Sequence, residues 1–414
     1  MMHESRRPAS LGDPAPGATL KALEDGGADA KPIRVLHVNS GNQYGGVETL
    51  LVTLARLRHL CTAMEPCFAL CHQGRLSQEL VATGAEVEVL GEVRISRPWT
   101  VWRARRRLRN LLRRQPCDLV ICHMPWSLVV FGKTARAAGK KLLFWAHGFH
   151  TGRTWLERMA RLTVPDLAIV NSRFTAGGLS DLFPKVPAQV LYLPVALIDA
   201  PESGEWRAAV RREQGVDERT VVIIQVGRME EGKGHFLHLR ALSLLRTEEP
   251  WVCWIAGGAQ KPAEKDYLRQ LQETAKQFGI ADRVRFLGHR SDVPCLLAAA
   301  DIFCQPNQNP EGFGITFIEA LWAGRPVVTT AIGGAVEIVD SSCGLLVEPG
   351  NAAELASALQ RLIEFRELRA RLGRAGTTRA LQLSSPGKQM NYLNQLVRNA
   401  AAGGNSQGDV RPLG

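Results

Sequence analysis

The stretch Ile33–Glu48, IRVLHVNSGNQYGGVE, reads as a strand, a glycine-bearing turn and the opening of a helix. Ile33–Asn39 is an apolar run of strand length. Gly41, Gly45 and Gly46 then punctuate the chain before a helical stretch from Val47 to about Leu60. A second stretch repeats the order. Val221–Val226 is a strand candidate, GRMEEGKG follows it, and Gly234–Leu245 has helical spacing. The two share an architecture and no sequence repeat. Each heads its own series of short apolar runs alternating with amphipathic stretches. Strands covered by crossover helices on both faces read as continuous apolar runs, so the pattern predicts α/β architecture: two doubly wound, parallel-sheet (Rossmann-like) domains.

In the first series the further expected strands are Cys67–Cys71, Glu86–Leu90, Leu119–Cys122, Lys141–Ala146, Leu167–Val170 and Gln189–Leu193. In the second they are Trp251–Ala256, Val284–Leu287, Ile302–Cys304 and Pro326–Thr329, with a further helix over Glu264–Phe278. The pattern breaks around Pro194–Glu205 into Pro, Asp, Ser and Gly, and an amphipathic region, Asn351–Arg398, closes the chain. The expected division is a polar, disordered lead-in (1–30), an N-terminal domain (31–195) and a linker (196–205). A C-terminal domain (206–380), a closing helix (381–400) and a frayed tail (401–414) follow. A length of 414 residues suits two domains.

No apolar run approaches the ~20 residues of a membrane span, and the first thirty residues lack the apolar core of a secretory leader. The nine cysteines are scattered, with no CxxC pair, so neither a disulfide framework nor a zinc site is expected and a cytoplasmic location is. Cys67, Cys71, Cys253 and Cys304 lie in apolar segments as core filler. A net charge of +11 asks for an anionic partner, and nucleotide, lipid headgroup or nucleic acid would all answer it.

Three glycine-rich loops carry the chemistry. Gly41–Glu48 places paired glycines before a helix N-terminus, which suits a phosphate and equally suits a tight strand-to-helix turn. Val226–Gly234 sets Arg228 and Lys233 on a short loop where they could converge on one anion, or simply be solvated; no GxxxxGK[ST] pattern is present. Pro310–Ala320, PEGFGITFIEA, holds two carboxylates eight residues apart. Glu311 falls in the loop and Glu319 about two turns into a helix starting near Gly314, so they should meet different parts of one ligand. Gly333 and Gly334 mark another helix start, and His147 follows an expected strand at the end where such folds bind ligands.

Together these segments resemble the group 1 (family 4) retaining glycosyltransferases of the GT-B fold. The matching motifs are GGVE (Gly45–Glu48), HG (His147–Gly148), VGRMEEGKG (Val226–Gly234) and PEGFGITFIEALWAGRPVV (Pro310–Val328). GGAVEIV (Gly333–Val339) and GLLVEPG (Gly344–Gly350) complete the set, in the family's order. The resemblance implies that two domains face a central cleft holding a nucleotide-diphosphate sugar, with no metal or other cofactor. It implies that Arg228 and Lys233 bind the diphosphate, Glu311 the transferred sugar and Glu319 the ribose. Gly45 and Gly46 would close on the phosphates, and His147 would sit by sugar and acceptor. Gly227, Phe313, Gly314, Gly333, Gly334 and Glu337 would complete the donor contacts. The approach to Glu311, Gln305–Pro310, is longer than the family's common Pro-Ser type, which puts the sugar pocket's shape in question. The implied acceptor is a saccharide or a lipid-linked saccharide. A GT-B-fold nucleotide-sugar epimerase and a non-catalytic sugar-nucleotide-binding module are the rival readings.

Arg94–Arg114 holds nine arginines, with Val101, Ala104, Leu108, Leu111 and Leu112 on one helical face. One reading is a packed helix with a solvated basic exterior. The other is a docking surface for an anionic membrane, aided by Trp99 and Trp102, which would place the protein peripherally on the inner face of the membrane. No recognition motif or stacking platform accompanies the charge, so nucleic acid is not an expected partner.

Overall fold

The computed structural model describes residues 31–42, 44–195, 204–259 and 261–403. The lead-in 1–30, most of the expected linker and most of the tail lie outside the described residues. The described residues from Pro32 onward form one compact unit.

The first half alternates strand and helix throughout: β1 (Ile33–Asn39), α1 (Gly46–Arg56), β2 (Met64–Leu70), α2 (Arg75–Ala82), β3 (Val87–Val89) and α3 (Pro98–Arg114). It continues with β4 (Leu119–His123), α4 (Met124–Ala137), β5 (Lys141–Ala146), α5 (Trp155–Ala160), β6 (Leu167–Val170), α6 (Arg173–Leu182) and β7 (Ala188–Val190). The second half opens with α7 (Gly204–Glu213), β8 (Val221–Val226), α8 (His235–Ser243), β9 (Trp251–Ala256), α9 (Pro262–Gln277) and β10 (Val284–Gly288). Then come α10 (Val293–Ala299), β11 (Ile302–Gln305), α11 (Ile315–Trp322), β12 (Val327–Thr330), α12 (Ala335–Ile338) and β13 (Gly344–Val347). Three helices close the chain: α13 (Ala352–Glu364), α14 (Arg366–Ser384) and α15 (Pro386–Ala401).

The strands form two sheets, ordered β3-β2-β1-β4-β5-β6-β7 and β10-β9-β8-β11-β12-β13. Their pairings are parallel. Each sheet is doubly wound, and its order reverses once, between β1 and β4 and between β8 and β11. The central strands are buried along their whole length: every residue of β4 and β8 is buried. Each Val, Leu or Ile so buried contributes about 1.5–3 kcal/mol, which is why the apolar runs become these strands. The one polar residue of β8, Gln225, is satisfied internally. Its Nε2 donates to the Lys233 carbonyl at 2.8 Å, and its Oε1 meets His238 Nδ1 at 2.8 Å.

The last helix returns to the first sheet. Tyr392 donates its hydroxyl to Gln189 Oε1 at 3.1 Å, and Arg398 donates to the Ala63 carbonyl at 3.0 Å. All nine cysteines are unpaired and eight are buried, including the four read as core filler. None of the described helices is long and apolar enough to cross a membrane.

Candidate functional site in the interlobe cleft

In doubly wound sheets the crevice opens at the carboxyl ends of the strands, where the order reverses. Here the two reversal points share one cleft of about 350 Å³. Gly45, Gly46 and Thr49 line it from the β1 side, with His147 and Asn171 after β5 and β6. Gly227, Arg228 and Lys233 line it after β8, and Glu311–Thr316 with Glu319 after β11. Ten of the thirteen residues singled out in the sequence therefore lie on one wall or another of this cleft.

The loop after β8 is shaped by Gly234, at φ +71°, whose Cα faces the Pro306 carbonyl too closely for any side chain. That contact holds Lys233 against the loop after β11. Lys233 Nζ donates to Glu311 Oε1 at 2.8 Å, and the other carboxylate oxygen accepts from Asn307 Nδ2 at 3.0 Å and Gln305 Nε2 at 3.3 Å. Glu311 is thus fixed by three donors. Arg228 is freer: its guanidinium pairs with Glu230 at 3.1 Å and its side chain is 39% exposed. Gln305 and Asn307 were not expected as site residues, although the unusual approach to Glu311 was the signal that pointed to them. Both are buried and polar, and each spends an amide N–H on that carboxylate.

Across the cleft, Gly45 is the N-cap of α1. Glu48 Oε2 accepts from the Gly45 N–H at 3.0 Å and its Oε1 accepts from Asn39 Nδ2 at 2.9 Å, bracing the glycine turn against β1. Gly314 is the N-cap of α11, so the N-terminus of α11 also opens on the cleft. Space at Gly46 is bounded by the Ile315 side chain, so the two helix starts meet face to face. Each supplies unpaired N–H groups and a partial positive charge. α11 begins at Ile315, as expected near Gly314, and Glu319 lies a little over one turn into it, not two, since four residues span about 1.1 turns. Burial pushes its carboxyl up to about 7.

His147 follows β5 and lines the cleft. Its Nε2 contacts His123 Nδ1 at 2.9 Å, and His123 Nε2 in turn contacts His37 Nδ1 at 2.9 Å. Burial lowers His37 and His147 to about 3 and His123 well below its ordinary value, so all three rings are neutral. Neither His37 nor His123 was expected to belong to the site. The His147 carbonyl accepts from Asn171 Nδ2 at 3.2 Å, and the same carbonyl leaves no room for a side chain at Gly312.

Gly333, Gly334 and Glu337 are not on the cleft wall. The two glycines lie against the backbone of Glu311 and Gly312, and the Gly334 N–H donates to the Glu311 carbonyl at 2.8 Å. They buttress the loop from behind. Glu337 reaches the other lobe, where its carboxylate accepts from the Arg173 and Phe174 N–H groups at 2.9 and 2.7 Å and from the Tyr192 hydroxyl at 3.0 Å. It caps α6, because the first N–H groups of that helix have no partner within it.

Away from the cleft, α3 buries Ala104, Leu108, Leu111 and Leu112. Arg105 donates to the Val129 and Val130 carbonyls and Arg107 to that of Leu90, so part of the basic stretch is structural. Trp99 and Trp102 are 59% and 62% exposed.

Two family models match, one on each half: Glycosyltransferase Family 4 over residues 44–197 and Glycosyl transferases group 1 over residues 207–379. The chain belongs to the group 1 glycosyltransferases. Among the curated relatives of this family member are proteins named D-inositol 3-phosphate glycosyltransferase. That of Salinispora arenicola is 32% identical over 232 residues, covering 53% of this chain and 52% of the relative. That of Corynebacterium jeikeium is 34% identical over 227 residues, covering 53% and 54%. The chain thus spans about half the length of the curated relatives it matches. Among solved structures, Anabaena HepE in complex with UDP-glucose superposes with a TM-score of 0.78 at 22% identity, covering 89% of this chain and all of that one. The lipopolysaccharide glycosyltransferase WaaG superposes at 0.66 with 18% identity, covering 88% and 99%. These likenesses give the fold: GT-B, two Rossmann-like domains about a cleft.

Proposed function

We propose that the protein transfers a sugar from a nucleotide-diphosphate sugar to a saccharide or lipid-linked acceptor with retention at the anomeric carbon. The observation that carries this reading is the convergence of Arg228, Lys233 and the N-termini of α1 and α11 on one cleft. Breaking the sugar–phosphate bond leaves negative charge on the nucleoside diphosphate. Preorganised cations and N–H groups in a partly dry cleft stabilise that charge without requiring a metal ion. Lys233 has three donors and spends one on Glu311, leaving two for phosphate oxygens.

In this reading Arg228 and Lys233 neutralise the leaving group. Glu319, near neutrality in its titration, exchanges hydrogen bonds with the ribose hydroxyls. Glu311 and His147 face the transferred sugar, and Gly45, Gly46, Gly227, Phe313 and Gly314 let the donor approach backbone closely. The state of Glu311 supports attack on the same face as the leaving group. A carboxylate already accepting from Lys233, Asn307 and Gln305 is a poor nucleophile for a covalent sugar intermediate. Gly333, Gly334 and Glu337 act on the donor only through the loop and the lobe contact that they hold.

The test is release of nucleoside diphosphate from a panel of nucleotide sugars, with and without saccharide, inositol phosphate and lipid-linked acceptors. The reading expects turnover of one donor that accelerates with an acceptor and persists in EDTA. Failure to turn over any donor, or interconversion of free nucleotide sugars alone, rejects it. The exposed Trp99 and Trp102 beside the arginines of α3 favour a second element of the proposal. The N-terminal lobe rests on an anionic membrane surface at the cytoplasmic face, which would bring a lipid-linked acceptor to the cleft.

A further inference from the structure

The three neutral imidazoles behind the cleft form a directed chain. In register, His37 lies opposite Ile121 and His123 opposite Trp145. His123 is therefore two residues further along β4 than the partner of His37, and His147 is two residues beyond the partner of His123. Side chains two residues apart share a face of a strand, so the rings climb one face of the sheet towards its carboxyl edge, where the cleft opens. Adjacent rings are 5.2 and 5.1 Å apart, and Trp145 stacks on both His123 and His147.

A neutral imidazole has one N–H and one lone pair, and each N···N contact consumes one of each. Three rings joined by two contacts leave a single N–H, which must sit at one end of the chain. The inner end, His37 Nε2, is buried beside Phe68 and has no partner. An N–H there would be stranded, the more costly kind of orphan. The outer end, His147 Nδ1, belongs to a residue that lines the cleft. We infer that His37 and His123 are positioning residues that fix His147 in the Nδ1–H tautomer, so that it presents a hydrogen-bond donor, and not a lone pair, to an acceptor oxygen of the cleft ligand. His37 donates to His123, and His123 donates to His147. Where that ligand is taken to be a nucleotide sugar, the inference rests on the function proposed above. The proton arrangement itself does not.

The test is nitrogen-15 NMR of ring-labelled histidines, with the His147 signal assigned by its loss in His147→Gln. In the wild-type protein, without any ligand, the proton is expected on Nδ1 of His147. A proton on Nε2 overturns the inference. His123→Met removes the donor and leaves a sulfur that can only accept, and should move the His147 proton to Nε2. His123→Asn leaves an amide N–H near the lost Nδ1–H and should hold it on Nδ1. An unmoved proton in His123→Met also overturns the inference. Steady-state kinetics supply the second readout. His123→Met should lower kcat/KM for the donor about tenfold, and His123→Asn should keep most of the wild-type value. If the spectra behave as stated and no nucleotide sugar is turned over, the function fails and the histidine relay stands.

Discussion

Arg228 and Lys233 differ in how they are held, and the difference shapes what their removal should do. Arg228 is 39% exposed and pairs with Glu230, whereas Lys233 is locked to Glu311. Arg228→Ala should therefore cost transition-state stabilisation alone, about 2–4 kcal/mol in kcat/KM, as for a lost preorganised contact. Lys233→Ala should cost as much and also release Glu311, so its variant should show a changed preference among donor sugars. Steady-state kinetics on both variants check this, and near-wild-type turnover rejects the roles. Glu319 makes a different prediction. Its carboxyl titrates near 7 in the folded protein against 4.5 as the ordinary value, so the unfolded chain loses this proton first. Between those values the folded state binds more protons, and stability falls as pH rises. The shift corresponds to at most about 3 kcal/mol, less where the cleft admits water. Urea titrations from pH 5 to 8 should show this fall in the wild type and a flatter profile in Glu319→Gln. Parallel profiles would mean that Glu319 ionises normally.

At the scale of elements, Glu337 is the clearest case of a residue acting through a helix. It satisfies two N–H groups at the start of α6 from the opposite lobe. Glu337→Ala should destabilise the fold by about 1–2 kcal/mol, the cost of a lost cap, with a lower urea midpoint at unchanged slope. An unchanged midpoint would refute the capping role. For α3, binding to vesicles should rise with anionic lipid content and weaken in Trp99→Ala/Trp102→Ala; co-sedimentation indifferent to lipid charge rejects the membrane surface. The elements themselves were largely legible. Parallel strands buried on both faces leave unbroken apolar runs, and Ile33–Asn39, Lys141–Ala146, Val221–Val226 and Trp251–Ala256 begin and end where expected. β13 was read only as part of a motif, because its four residues open on glycine and run into Glu348 and Pro349. Gln189–Leu193 is buried as expected, yet only its first residues join the sheet, since β7 spans Ala188–Val190. The glycine loops announced the cleft. The contacts of Glu337, of Gln305 and Asn307 with Glu311, and of His37 with His123 were not legible. They are set by register and by lobe packing between residues that local patterning does not connect.

At the scale of the whole molecule, two sheets of like topology place their reversal points against one cleft, and the charge is arranged to match. A net +11 spread over the surface would attract any polyanion. The cleft adds direction, because Lys233, held by Glu311, the freer Arg228 and two helix N-termini line one volume large enough for a small ligand. The measurement that bears most directly on this is calorimetric binding of the common nucleoside diphosphates to the wild-type protein and to Arg228→Ala. The account predicts that one nucleoside diphosphate binds the wild type without added metal and binds the variant at least about tenfold more weakly. Equal affinity in the two proteins, or no binding of any nucleoside diphosphate, would contradict it.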